Sequence, residues 1–128
     1  MGKRALKLAI VILLVVTLSV NAMARWTYTA FINQSLSFSG ATAICSTVIE
    51  AHSSTATINA TAILIRINSD KSETTVKIWA GLTGIGTLIF YDTYGVTRGF
   101  SYRLEIYATV STTQGSENVS ASVTAKCT

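Results

Sequence analysis

Few side chains in this sequence can carry reaction chemistry, and their spacing narrows the kinds. Cys45 and Cys127 are the only cysteines. Neither belongs to a CxxC pair, and no second thiol set is present, so a metal centre or redox dithiol is not indicated. An even cysteine count in an exported chain implies a disulfide between them. Closing a loop of that length is worth about 4–5 kcal/mol on the chain-entropy account. His52 is the only histidine. A Ser-His-acid hydrolase would depend on it, but no GxSxG motif or glycine elbow surrounds any serine, so His52 reads as a turn residue beside Ser53 and Ser54. The acids after residue 24 are Glu50, Asp70, Glu73, Asp92, Glu105 and Glu117. No two of them have surroundings that would split their pKa values as paired acid–base work requires. Asn68-Ser69-Asp70 opens like a calcium loop, but the glycine and the distal glutamate are missing, so it reads as a turn. The sequence therefore assigns no catalytic residue, no metal ligand and no cofactor.

Binding chemistry is better represented. Trp79, Tyr91 and Tyr107 fall on the parity opposite the expected core. Outward aromatics stack against sugar rings, peptides or a second protein, which makes these three the candidate binding surface. Asn33-Gln34-Ser35, Asn59-Ala60-Thr61 and Asn118-Val119-Ser120 match the N-glycosylation pattern. Ser and Thr together supply 33 residues, so matches by chance are expected.

The elements that must hold these residues are strands. Tyr102, Leu104, Ile106, Ala108 and Val110 share one parity, with Ser101, Arg103, Glu105, Tyr107 and Thr109 on the other. Val119, Ala121, Val123, Ala125 and Cys127 alternate in the same way with polar partners. A period of two is the signature of a strand with one buried face. The polar loop 111–116 carries Gly115 and makes the two strands a hairpin. Its inward pairs should be Ala108 with Val119, Ile106 with Ala121, Leu104 with Val123, and Tyr102 with Ala125, each large residue meeting a smaller one.

Earlier in the chain, residues 25–39 read as two short strands separated by Asn33-Gln34-Ser35. Ala43, Cys45, Thr47, Ile49 and Ala51 form one inward set. In 55–67 the apolar parity is even up to Leu64 and odd at Ile63, Ile65 and Ile67, which implies burial on both faces or a bulge. Residues 74–80 return after a polar turn, and Gly81, Gly84 and Gly86 break the chain before a strand over 87–91. Seven or eight short strands and no helical period after the leader predict an all-β, antiparallel β-sandwich.

The first 24 residues have a different character. Lys3, Arg4 and Lys7 precede a 13-residue apolar run at 8–20, and Ala22-Met23-Ala24 supplies the small-x-small pattern of a signal-peptidase site. Such a run spans about 20 Å as a helix, short of the hydrocarbon core, so a cleaved helical signal peptide over 1–24 is expected rather than an anchor. The remaining domain, 25–128, is then secreted, extracellular and without a stable membrane anchor. It holds seven Lys or Arg against six acids, and seven minus six leaves +1. That balance gives no reason to expect a nucleic-acid partner. There is no proline to blunt an edge strand.

Gly99-Phe100-Ser101-Tyr102-Arg103-Leu104 resembles the start of a late strand in immunoglobulin-like and fibronectin-type sandwiches. In those folds a tyrosine caps the corner before a buried position. The resemblance makes Tyr102 that tyrosine and Leu104 the buried residue, with the usual inter-sheet cysteine pair absent there. The leader, residues 40–45, Trp79 and residues 99–102 together resemble small secreted proteins of Gram-positive bacteria in families of unknown function, which imply no activity. The expectation is a secreted, non-enzymatic β-sandwich that binds a protein or glycan at the cell surface or serves there structurally. The alternatives are a small secreted hydrolase built on His52, a secreted toxin or antagonist with an apolar patch, and self-assembly through open sheet edges.

Overall fold

The structure is a computed structural model that describes residues 26–128. The expected signal peptide, with Ala22 and Ala24, lies outside the described residues. Seven strands follow one another: β1 (Thr29–Ser39), β2 (Thr42–Ala51), β3 (Thr57–Ile67), β4 (Glu73–Ile85), β5 (Thr87–Gly95), β6 (Ser101–Thr112) and β7 (Gly115–Lys126). They form an antiparallel ladder in the order β1-β2-β5-β4-β3-β6-β7. β4 and β5 are joined at the single pair Ile85–Thr87. There the ladder folds over, giving a layer of three strands, β1-β2-β5, against a layer of four, β4-β3-β6-β7. Gly86 makes the fold possible: its φ is +75°, and a Cβ there would lie 2.7 Å from the Ser54 carbonyl oxygen.

This is the expected antiparallel sandwich, with seven strands. In a constant-type immunoglobulin domain the fourth strand joins the layer of the first, second and fifth; here β4 lies beside β3. The corner tyrosine is present. The Tyr102 hydroxyl accepts the Thr97 N–H at 3.0 Å and donates to the Thr97 carbonyl at 3.1 Å. Tyr102 and Leu104 are both buried. One side chain thus fastens the loop between β5 and β6 to the strand it introduces.

The core lies between the layers. Ile32, Leu36, Ala43, Cys45, Ile49, Leu88 and Phe90 face Ile58, Ala62, Leu64, Leu104, Ile106, Val110 and Val123 across it. The inward set of β2 is the predicted one, with Thr47 buried among apolar residues. The β6–β7 register also matches: Leu104 opposes Val123 and Ile106 opposes Ala121. The hairpin is tighter than expected, since Thr112 pairs with Gly115.

Two expectations are corrected, and one left open is decided. The segment 29–39 is one strand, not two. Gln34 continues it because its Nε2 donates to the buried Thr47 Oγ1 at 3.2 Å, giving a polar residue an inward place. A register shift between Thr29 and Phe31 changes which parity faces in. Of the two readings of the phase change at 63–67, burial on both faces holds at Leu64 and Ile65, which are both buried, and bulges in the pairing with β4 accompany it. From Ala60–Leu82 to Ala62–Trp79, β3 advances two residues while β4 uses three; from Leu64–Lys77 to Ile65–Thr75, β3 advances one while β4 uses two. The first of these bulges contains Gly81 and turns Trp79 inward, opposite Ala62. Finally, Cys45 and Cys127 are free thiols, each fully buried in its own place, and do not form the expected disulfide. The Cys127 sulfur lies against the Gly40 carbonyl oxygen at 3.4 Å, beside the β1–β2 turn. Cys45 sits three residues inside β2, about 10 Å of strand away. Burial, reinforced by the Asp92 charge, pushes the Cys45 thiol up to about 11, which leaves it unreactive.

On one long side, β1 and β7 run in the same direction. At the start of both, the Glu117 carboxylate accepts the N–H groups of Thr27 and Tyr28 at 3.0 and 2.8 Å and the Thr29 hydroxyl at 2.8 Å. Among the described residues no helix is long and apolar enough to cross a membrane.

Candidate functional site

The three aromatics expected to form one surface occupy three. Tyr107 lies on the outer face of the four-stranded layer and is 49% exposed. Tyr91 lies on the outer face of the three-stranded layer and is 65% exposed. Trp79 is half-buried at the open side between the layers. Its ring meets Phe90 and Tyr94 with centroids 5.1 and 6.4 Å away. Its indole N–H donates to Asp92 at 2.8 Å. Trp79 is therefore a packing residue, and the bulges in β4 are the reason its parity misleads.

Only Tyr107 sits in a built recess. On β6 it stands between Thr61 of β3 and Ser120 of β7, and the next outward row is Thr83, Asn59, Thr109 and Asn118, one residue from each strand of the layer. Except for Thr83, the residues of these rows line an open depression of about 540 Å3. Its β4 side is Gly81, held at φ +73° with nothing within 4 Å of where a side chain would begin. A relay of contacts fixes the tyrosine. Its hydroxyl donates to Glu105 at 2.8 Å, Glu105 accepts from Arg103 at 2.7 Å, and Arg103 forks onto Glu73 at 2.7 and 3.1 Å. The hydrogen bond to the Glu105 carboxylate holds the Tyr107 hydroxyl above the ordinary phenol range, so it stays protonated at neutral pH. The Thr109 hydroxyl donates to Asn118 Oδ1 at 2.8 Å, which orients that amide and leaves its N–H groups to donate elsewhere.

A fixed aromatic flanked by amides and hydroxyls can stack a flat apolar face and hydrogen-bond its rim. That is the arrangement a sugar ring requires. No acid or histidine lines the depression. The sequence announced Asn59, Thr61, Asn118 and Ser120 only as members of two glycosylation patterns. Their convergence depends on the pairing register, which no single segment reveals.

The Tyr91 face differs. Tyr91 and Ile89, the latter 75% exposed, stand beside Ser46 and Val48 of β2 without a recess. His52 is exposed in the turn after β2, in a smaller polar recess of about 330 Å3 that also includes Ser53. The Ser53 hydroxyl is engaged with Thr55, at 3.0 Å to its hydroxyl and 3.2 Å to its N–H. No carboxylate lines this recess. No cluster of three or more His, Cys, Asp or Glu among the described residues is placed to hold a metal ion.

No protein-family model matches the chain, and neither does any curated protein. Among solved structures it is similar to a β-glucuronidase of Parabacteroides merdae, with a TM-score of 0.41 and 15% identity, over 71% of this chain and 13% of that enzyme's. A likeness of that size transfers neither activity nor substrate.

Proposed function

We propose that this chain is a secreted, non-enzymatic β-sandwich that binds a glycan at the cell surface through the depression over Tyr107. The observation that carries the reading is the outward row Thr61–Tyr107–Ser120, backed by Asn59 and Asn118 and opened by Gly81. The ring offers a stacking face, the amides and hydroxyls offer neutral donors and acceptors, and no titratable base or acid faces the space. These features favour holding a ligand over transforming it. The apolar run in the first 24 residues supports export of the domain.

A glycan array probed with the purified protein tests the reading. Tyr107→Ala should weaken binding about tenfold, the equivalent of one lost stacking contact. Tyr107→Phe should retain it, because the stacking face survives. Binding indifferent to Tyr107→Ala, or no glycan bound at all, would overturn the assignment. Hydrolysis of an array sugar that is lost in His52→Ala would replace it with the hydrolase reading.

A further inference from the structure

The cations of the described residues are gathered towards one end of the strands. The Lys and Arg residues are Arg66, Lys71, Lys77, Arg98, Arg103 and Lys126. Four of these, Arg66, Lys71, Arg98 and Lys126, lie at the end formed by the β1–β2 turn, the turn 68–72, the loop 96–100 and the close of β7. The other end carries Glu50, His52 and Glu117, with no Lys or Arg among the described residues.

Asp70 and Glu73 share this end and offset part of its positive charge. The ion pairs among the described residues both belong to Arg103, with Glu73 and Glu105. Asp70 is turned back on its own loop, accepting the Ser72 N–H at 3.0 Å and the Ser72 hydroxyl at 2.6 Å. Among the described residues, Lys71, Arg98 and Lys126 form no ion pair with a carboxylate. Lys71 and Lys126 flank a cleft of about 310 Å3 with Ser69, Phe100 and Ser101 in its wall. The Arg66 guanidinium lies 4.9 Å from the centre of the Phe100 ring, and its Nε donates to Asn68 at 2.8 Å. Arg98 extends the positive surface towards Gly40.

The backbone gives a second, independent sign. Lys71 is the only non-glycine residue described with a positive φ, at 76°. The turn that holds it is closed by Lys71 N–H to the Asn68 carbonyl at 2.9 Å and by Asn68 N–H to the Ser72 carbonyl at 2.8 Å. Glycine or asparagine would occupy this position at lower cost, and strain retained in a well-determined turn points towards a use.

We infer that this end is a second binding site, distinct from the depression over Tyr107, and that it takes a linear polymer carrying phosphate groups. Lysines meet phosphate as point charges, without the bidentate geometry that arginine brings to phosphate and carboxylate alike. In the cleft the unpartnered charges are the two lysines. Three unpartnered cations spread over the whole end suit repeated charges better than one small anion. A lipid surface fits poorly. The exposed large apolar side chains are Ile78, Ile85, Ile89, Tyr91 and Tyr107, all within strands, and none is in the loops of the basic end to insert among acyl chains.

The test measures binding of the full chain to long-chain inorganic polyphosphate. Vesicles of equimolar phosphatidylglycerol and phosphatidylcholine, duplex DNA and neutral dextran run alongside. Polyphosphate should bind and dextran should not. The affinity should fall about tenfold between about 0.05 and about 0.5 M salt, as screening shortens the reach of exposed charges. The double variant Lys71→Gly, Lys126→Ala should weaken binding about tenfold while remaining folded, because glycine accepts the left-handed turn. Tyr107→Ala should leave polyphosphate binding unchanged, which separates this site from the glycan site. The inference is overturned if polyphosphate does not bind, if the double variant binds as tightly as the parent, or if vesicles bind as tightly as polyphosphate; binding of duplex DNA, itself a phosphate polymer, that weakens in the double variant would support it.

Discussion

The two long sides of this sandwich are closed by different means. On the β1–β7 side a carboxylate does the work. Glu117 gathers two backbone N–H groups and a buried hydroxyl from residues 27–29, and Cys127 rests on Gly40 at the far end. On the β4–β5 side the layers share the one pair Ile85–Thr87, and beyond it both strands run as edges. Open edges invite pairing with another chain. Here they are defended by charge. Asp92 caps the Thr93 N–H at 2.8 Å with one oxygen and receives the Trp79 indole with the other. Lys77 stands over the Trp79 and Tyr94 rings at 6.0 and 5.9 Å. A chain without proline can still protect its edges, by spending charged side chains on them. One side is held by satisfied hydrogen bonds, and the other is kept free by unfavourable company for an incoming strand.

Removing the Glu117 carboxylate should have the largest effect. Glu117→Ala orphans the donors of Thr27, Tyr28 and Thr29 together, and urea unfolding should show a loss of about 2–3 kcal/mol. The acid response follows from the same contacts. Burial alone would raise this carboxyl, but the hydrogen bonds from Thr29, Tyr28 and Thr27 outweigh it and hold it below the ordinary glutamate value of 4.5. A group depressed on folding stabilises above its unfolded value and loses that contribution as pH falls through its folded one. The parent should therefore lose stability below about pH 4.5, and Glu117→Gln should flatten that part of the curve. An unchanged acid profile would mean that the β1–β7 side is held by packing alone.

A smaller loss is expected on the open side. Trp79→Ala forfeits two ring contacts and one hydrogen bond from a half-buried position, worth about 2 kcal/mol in the same urea measurement. The smallest stability change belongs to Asp92→Ala, below about 1 kcal/mol, since both of its hydrogen bonds are exposed. Its signature should appear elsewhere, as concentration-dependent self-association in sedimentation velocity once the Thr93 N–H is uncovered. A variant that stays monomeric at high concentration would remove Asp92 from the defence of the edge.

Legibility in the sequence followed the regularity of the strands. The hairpin of β6 and β7 keeps a strict alternation, so its register could be written down from side-chain size alone, down to Leu104 opposite Val123. The inward residues of β2 were equally plain. β4 hides its faces because two bulges reset the phase, and a bulge on one strand shows only against its partner. Gln34 and Thr47 form a polar contact inside the sandwich, which made a continuous strand look like two. The cysteine count was misleading because parity and burial say nothing about where two inward positions lie along their strands. Tyr91 and Tyr107 were found as outward residues. The recess over Tyr107 was not, since its lining comes from four strands in register. The gathering of cations at one end was invisible for the same reason, because a net charge near zero does not say where the cations lie.

The parallel run of β1 and β7 has a mechanical consequence. The described chain begins at one pole of the sandwich and finishes at the other, so tension applied between residues 26 and 128 pulls these neighbouring strands past each other in shear. The contacts at Glu117 then break together rather than one by one, and a domain loaded in this way resists extension far better than one peeled from an end.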